Sequence, residues 1–293
     1  SQPIPLAAET AVSSQSNLDN SDLPESLAPP LPLVGKTILV TRSAGQSSQF
    51  SDRLRAVGAT VIEMPAIEIA PPSSWEDLDR AISQLDRFDW LILTSGNGVA
   101  YFFERLATQL QDIHTLTGIK IAVVGEKTAE KLKRRGITPD FIPPNFVADS
   151  LIAHFPESVT GQRILFPRVE SGGREVLVKE LSEAGAEVVE VAAYESRCPT
   201  EIAPEALTAL QQGKVDGVTF ASAKTVKHFC QLVQQAMGED WQDSLREIAI
   251  ATIGPQTSKA CLALLGRVDV EAQEYTLEGL TQAIVQWAKN TEE

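Results

Sequence analysis

The sequence is short of the residues that announce a chemistry most directly. Its three cysteines (Cys198, Cys230, Cys261) are too few and too scattered for a disulfide scaffold, which points to a reducing compartment. The three histidines (His114, His154, His228) stand singly, and His228 with Cys230 on one predicted helix lacks the further pair that a closed metal site needs. Positive charge is scarce: 25 Lys and Arg against 39 Asp and Glu leave a formal charge of -14. That argues against nucleic acid or an anionic membrane surface as partner, since either requires a broad basic face. No apolar run approaches the length of a bilayer span. There is no G-x-S-x-G elbow and no Cys-His pattern for covalent catalysis, and the GEKT beginning at Gly125 has Glu126 where a phosphate-binding loop needs glycine before its lysine. A site without metal, cofactor or strong nucleophile is what these absences leave, and any anion binding must be local.

What is present is organised around Gly118 to Ile137, GIKIAVVGEKTAEKLKRRGI. An apolar strand reaches Gly125, and a helix with a polar outer face follows. Such a turn aims free helix N–H groups and the positive end of the helix dipole past the strand's carboxyl end, with Thr128 adding a hydroxyl. The element recurs at Ile248 to Gly266: Gly254 and Thr257 each lie 129 residues after Gly125 and Thr128. Further pairs share nearly the same offset. GKTILVTR (from Gly35) matches GQRILFPR (from Gly161) at 126, while Gly58 matches Gly185, Asp89 matches Asp216 and Ser95 matches Ser222 at 127. The chain reads as a duplicated unit of about 127 residues, in keeping with two domains for this length.

Alternating strand and helix patterns from Gly35 onward predict α/β architecture with parallel sheets covered on both faces. Strands are expected at Thr37–Val40, Thr60–Met64, Trp90–Leu93, Ile121–Val124, Phe141–Ile142, Arg163–Phe166, Glu187–Val191, Val218–Phe220, Ile248–Ile253 and Val268–Val270, five per sheet. Helices are expected at, among others, Gln46–Val57, Trp75–Leu85, Gly98–Leu106, Arg174–Ala184, Lys224–Met237 and Leu277–Trp287. Two equivalent stretches, Ile67 to Pro72 and Tyr194 to Pro199, carry a strand into a proline-marked exit and are the expected domain crossings. Cutting there gives one discontinuous lobe, 36–69 with 197–293, and a second, 70–196. Residues 1–35, rich in Ser, Pro and Ala with acidic but no basic residues through Pro32, fit neither a transit nor a signal peptide and are expected to be a disordered acidic tail.

Ligands of open parallel sheets bind beyond the strands' carboxyl ends. The residues expected there, Arg42, Ser95, Thr128, Arg168, Ser222 and Thr257 among them, are mostly hydroxyls, amides and glycines with a few cations. They read either as caps of the following helices or as a cleft for a substrate with several negative groups, and the repeat symmetry of the set favours the cleft. Arg168 and Arg174 flank Gly172-Gly173 and could clamp carboxylates or stand solvated at a helix start. Tyr194, whose repeat counterpart is Ile67, breaks the symmetry by one hydroxyl beside that cleft; it reads either as a site residue or as an aromatic packing the linker.

ILVTR, LTSGNGV, VVGEKTAEKL, LFPR, VVEVAAYES, FASAKTV and IGPQTSKA, in that order from Gly35 to about Trp287, together resemble the uroporphyrinogen III synthase family. The resemblance implies two flavodoxin-like lobes joined by a two-stranded connector. It implies a hydro-lyase of tetrapyrrole (haem and chlorophyll) biosynthesis that closes hydroxymethylbilane to uroporphyrinogen III, losing water and inverting ring D, with no cofactor and no metal. The substrate's acetate and propionate arms would account for turns rich in neutral donors. The pyrrole nitrogen expels the hydroxyl, leaving an azafulvene, and the substituted carbon of ring D must attack first to give a spiro intermediate that fragments and recloses inverted. Positioning supplies that selectivity. The family's candidate proton donor falls on Tyr194, a modest acid from which hydrogen-bond assistance is expected rather than full transfer; Ser95, Ser222, Thr128 and Thr257 fall on cleft positions. The proline expected after at least one of the two serines is replaced by Gly96 and Ala223. A cytoplasmic monomer is expected, with transient contact to the preceding pathway enzyme and no nucleic-acid or membrane partner. The competing reading is a two-lobed anion- or tetrapyrrole-binding module that closes without reacting.

Overall fold

The computed structural model of the chain describes residues 29–43, 48–144, 152–172 and 175–292. Its strands are β1 (Thr37–Val40), β2 (Thr60–Glu63), β3 (Glu68–Ala70), β4 (Trp90–Leu93), β5 (Lys120–Val123), β6 (Arg163–Val169), β7 (Glu187–Arg197), β8 (Gly217–Phe220), β9 (Ala249–Thr252) and β10 (Val270–Glu271). The α-helices described are α1 (Ser48–Ala56), α2 (Glu76–Ser83), α3 (Gly96–Thr108), α4 (Glu126–Arg134), α5 (Glu175–Glu183), α6 (Pro204–Gln211), α7 (Ala223–Met237), α8 (Pro255–Leu265) and α9 (Leu277–Thr291).

The strands form two five-stranded sheets, β10-β9-β8-β1-β2 and β3-β7-β6-β4-β5. The first draws on both ends of the chain. In each sheet strands run parallel, save β3, which lies antiparallel to the end of β7. A single parallel bridge from Ala122 to Phe141 extends the second sheet where a short strand is expected at Phe141–Ile142. The architecture is α/β with two flavodoxin-like sheets joined through β3 and the end of β7.

Both faces of each sheet are buried, as parallel strands require, and alternate residues serve opposite cores. Leu39, Ile62, Val218, Phe220 and Ile250 pack under α6, α7 and α8, whereas Ile38, Val40, Ala251 and Val270 pack under α1 and α9. In the second sheet Leu91, Leu93, Ile121, Val123 and Leu165 face α2, α3 and α4; Trp90, Ile92, Ala122, Ile164 and Phe166 face α5. The duplication recurs in hydrogen bonds at the strands' starts. Asp216 and Asp89 accept from Thr37 N and Arg163 N, both at 2.8 Å, and Asp269 and Asp140 accept from Ile250 N at 2.8 Å and Ile121 N at 2.7 Å. These carboxylates bind neighbouring strands at the end away from the site.

Three expectations are corrected. A disordered tail through residue 35 reaches too far: Leu33 is fully buried among Phe50, Leu54 and Ala288, and its amide bonds Val57 O at 2.9 Å; residues 1–28 lie outside the described ones. The strand expected to stop at Val191 continues to Arg197 as β7, pairing first with β6 and then with β3. The helix expected through Leu85 ends at Ser83, and a 3-10 turn, Leu85–Arg87, follows.

Candidate active site

The turns beyond the strands' carboxyl ends are built in two ways. In α4 and α8 the N-caps are Gly125 and Gly254, neither of which has a side chain to cap with. Gly125 adopts φ 97°, a left-handed conformation that glycine takes without penalty. The first helical turns therefore leave their N–H groups unpaired by any capping side chain. Thr128 and Thr257 lie inside those turns, at 5% and 4% exposure. Among the described residues neither hydroxyl makes a hydrogen bond. The capping reading of the two threonines is thus excluded by geometry.

In α3 and α7 serines cap. Ser95 Oγ accepts from Gly98 N at 2.9 Å and Ser222 Oγ from Thr225 N at 3.2 Å. Beyond that the two diverge. Ser222 Oγ stays local, 3.2 Å from Thr225 Oγ1, whereas Ser95 Oγ lies 3.0 Å from the Tyr194 hydroxyl. Tyr194 is 8% exposed and occupies the position on β7 where pairing with β6 ends, opposite Val169 after a register irregularity. Its backbone oxygen accepts from Glu170 N at 2.8 Å. The Tyr101 ring of α3 lies 5.9 Å away at 33°. Burial, then the charge of Glu104, pushes the Tyr101 phenol's pKa up.

The two candidate arginines separate as sharply. Arg42 follows β1, half-buried, and no carboxylate lies within ion-pairing distance of it among the described residues. Burial pulls its guanidinium below the ordinary arginine range. Arg168 is committed: it pairs with Glu190 at 2.8 Å, bonds the Gly172 carbonyl, and sits 5.7 Å from the Phe166 ring centre. It fastens the loop after β6. Arg174, its expected companion, lies outside the described residues.

Two features were not read from the sequence. At Gly96, where a proline is expected, a Cβ would come within 2.6 Å of Lys131 Cδ, so the aliphatic stem of Lys131 occupies that space and carries its ammonium to the start of α3. At Gly254 a Cβ would meet Tyr275 Cδ1 at 3.3 Å, and Tyr275, 63% exposed, stands over the turn that holds Thr257. Neither pair has a spacing signal: lysine and glycine are 35 residues apart, tyrosine and glycine 21.

His228 is structural. Its Nδ1 lies 2.6 Å from Ala66 O, tying α7 to the segment before β3, and burial lowers its pKa. Among the described residues no three His, Cys, Asp or Glu side chains converge on a metal-sized site, and no helix is long and apolar enough to cross a membrane. A groove of about 780 Å³ along β10 and α9 is rimmed by Asp269, Glu271 and Glu274; its charge opposes an anionic ligand, and none of the seven candidates lines it. Chemically, the carboxyl ends of the sheets offer helix amides without capping side chains, hydroxyls and a guanidinium without partners among the described residues, and one oriented phenol. That set suits several carboxylates and one weak proton donor.

Comparison with known proteins shows the family and the fold. A family profile described as Uroporphyrinogen-III synthase HemD matches residues 48–282. The uroporphyrinogen-III synthase of Synechococcus elongatus is 57% identical over 260 residues, covering 89% of this chain and 98% of that protein. The corresponding protein of Chlorobaculum parvum is 28% identical, covering 87% of this chain and all of that one. Among solved structures, uroporphyrinogen-III synthetase from Helicobacter pylori superposes with a TM-score of 0.59 at 17% identity, covering 86% of this chain and 99% of that one. A uroporphyrinogen III synthase from Thermus thermophilus gives 0.55 at 20% identity, covering 87% and 99%. At those identities the two structures speak to the fold.

Proposed function

The chain belongs to the uroporphyrinogen-III synthase family, and on that premise we propose that it is the cyclising hydro-lyase that converts hydroxymethylbilane to uroporphyrinogen III. The observation that carries the reading is the phenol of Tyr194, beside Ser95 at the carboxyl end of the second sheet, in a chain whose equivalent turns at Gly125 and Gly254 have no capping side chain on their helix amides. A linear tetrapyrrole fringed with carboxylates supplies those acceptors.

In this reading the unpaired amides of α4 and α8, with Thr128 and Thr257, seat carboxylate arms, Arg42 and Ser222 add further contacts, and Ser95 meets the substrate through the phenol beside it. Arg168 contributes by holding the loop after β6. Tyr194 assists by giving its phenol hydrogen as a hydrogen bond to the leaving hydroxyl of the substrate; the C–O bond breaks with its electron pair on the oxygen, the pyrrole N–H proton completes the departing water, and a neutral azafulvene is left. Ring D attacks that methylene through its substituted carbon, the spiro intermediate opens by breaking the bond from this carbon to its original bridge, and reclosure of that bridge through the unsubstituted carbon expels the proton that returns to the pyrrole nitrogen. The protein's work is to hold ring D so that the first attack precedes direct closure.

The lobes are taken as 36–69 with 197–293 and 70–196, hinged at β3 and the end of β7. The enzyme is a cytoplasmic monomer that receives its substrate by transient contact with the enzyme before it. A binding module without catalysis is the second reading, and one assay separates the two. Hydroxymethylbilane is generated in situ, the protein is added, products are oxidised and the isomers resolved. Type III in excess of the spontaneous type I background supports the reading; type I alone overturns it.

A further inference from the structure

Ser95 and Ser222 are equivalents in the duplicated chain, 127 residues apart, and both cap a helix, yet their hydroxyls end on different partners. The position three residues on explains the difference. In α7 it is Thr225, whose hydroxyl lies 3.2 Å from Ser222 Oγ and donates to Ser222 O at 2.7 Å. In α3 it is Gly98, where a Cβ would stand 3.1 Å from Ser95 Oγ. A threonine there would bring a competing hydroxyl to the serine. Glycine removes the competitor, and Ser95 Oγ faces Tyr194 instead.

A hydroxyl has one hydrogen to give and two lone pairs. Gly98 N–H occupies one lone pair of Ser95 Oγ at 2.9 Å. If the serine hydrogen goes to the phenol oxygen, Tyr194 keeps its own hydrogen for the substrate; if the phenol donates to the serine, that hydrogen is spent. The Gly98 amide is in the first turn of α3, where the positive end of the dipole strengthens Ser95 as a donor and favours the first arrangement. Tyr101, from the same helix, packs at the phenol's ring. One helix thus fixes both the ring and the hydroxyl of a residue on a distant strand.

We propose that Ser95 is a positioning residue that acts through Tyr194: anchored by the Gly98 amide, it donates to the phenol oxygen, points the phenol hydrogen at the substrate's leaving hydroxyl, and steadies the negative charge that grows on the oxygen as the proton moves. Gly98 is the specificity device that keeps Ser95 on this task. The inference rests on the reading of Tyr194 given above and gives the serine's one hydrogen to the phenol, so that Ser95 meets the substrate through Tyr194.

The test is a double-mutant cycle on the full chain, with kcat, KM and isomer ratio read for Tyr194→Phe, Ser95→Ala and the double variant. Loss of a general acid's contribution falls within about 10²- to 10⁴-fold. Ser95→Ala is expected to lose about 10-fold or more in kcat with KM changed less than about 3-fold and type III retained, and to lose nothing further in the Tyr194→Phe background. Ser222→Ala removes an equivalent cap, and its effect should be the same in both backgrounds, since no phenol depends on it. Ser95→Thr should recover most of kcat. Gly98→Thr, which imports the turn already built around Ser222, should lower kcat as Ser95→Ala does and keeps the test decisive if Ser95→Ala folds poorly. Losses that multiply in the double variant, or a Ser95→Ala enzyme at full kcat, would overturn the proposal while leaving Tyr194 as donor. Tyr194→Phe at full rate would instead remove the donor role itself, and with it the role of Ser95.

Discussion

Arg42→Gln is expected to move binding and stability in different directions. The fold holds this guanidinium half-buried with no carboxylate within ion-pairing distance among the described residues, and burial lowers its pKa. A charge partly withdrawn from water without a partner is a strain on the free state that an arriving carboxylate relieves. Hydrogen bonds to charged groups contribute about 1.5–3 kcal/mol, and partial exposure places Arg42 at the lower end. One tenfold step is about 1.4 kcal/mol, so Arg42→Gln should raise the Kd for uroporphyrinogen III roughly tenfold, with an unchanged or higher melting temperature. Arg168→Gln is the internal contrast. It deletes the Glu190 pair and the bond to the Gly172 carbonyl. With Glu190 42% exposed, that is about 1 kcal/mol of fold stability, or roughly 2–4 °C in Tm, while affinity stays within about twofold. Anaerobic titration calorimetry with the product and thermal unfolding of both variants give the four numbers. An Arg42→Gln protein that melts lower and binds as before would make Arg42 a structural residue and refute the reasoning.

Two further outcomes follow from the same geometry. Thr128→Ala and Thr257→Ala should each weaken product binding by about 0.5–1.5 kcal/mol, the net contribution of one hydrogen bond, with little change in stability because neither hydroxyl makes a hydrogen bond among the described residues; unchanged affinity in both would leave the seat to backbone amides alone. His228 has a pKa lowered in the fold, by burial first, with Lys224 and Lys227 opposing its charge, so the folded state binds fewer protons there than the unfolded one. Its contribution is complete above about pH 6.5 and is lost as pH falls through the lowered value. Urea unfolding at stepped pH should therefore show a slope in that window which His228→Gln flattens, and an unaltered slope would assign it to other groups.

Much of this arrangement is legible in the chain. The offset between Gly125 and Gly254 identifies two matching turns, and the apolar runs ILV, LIL and AVV place buried parallel strands because both faces of such a sheet need hydrocarbon. What is not legible depends on register between distant strands. Arg168 meets Glu190 only because β6 and β7 pair, and sequence spacing alone leaves it a free cation. Ser95 and Tyr194, 99 residues apart, meet because β7 stays paired with β6 past Val191, to Val169 opposite Tyr194, which brings the phenol to the start of α3. Glu195, Ser196 and Arg197 disguise that length, since a strand that leaves its sheet to pair with β3 no longer needs apolar residues there. Leu33 shows the opposite failure: a Pro- and Ser-rich composition conceals a single side chain that the α1–α9 core takes up completely. Gly96 reads as a departure from the expected proline until Lys131 is seen filling its place.

The most direct measurement of the central claim is the isomer ratio formed from hydroxymethylbilane as a function of protein concentration. Closure without guidance gives type I, and only a site that presents the substituted carbon of ring D gives type III. The type III fraction should rise with the amount of wild-type chain until it dominates, and in Tyr194→Phe should rise more slowly but toward the same isomer, since the phenol serves water loss and the cleft serves inversion. A chain that binds the linear tetrapyrrole yet leaves the product type I at every concentration would contradict the account and make the protein a carrier.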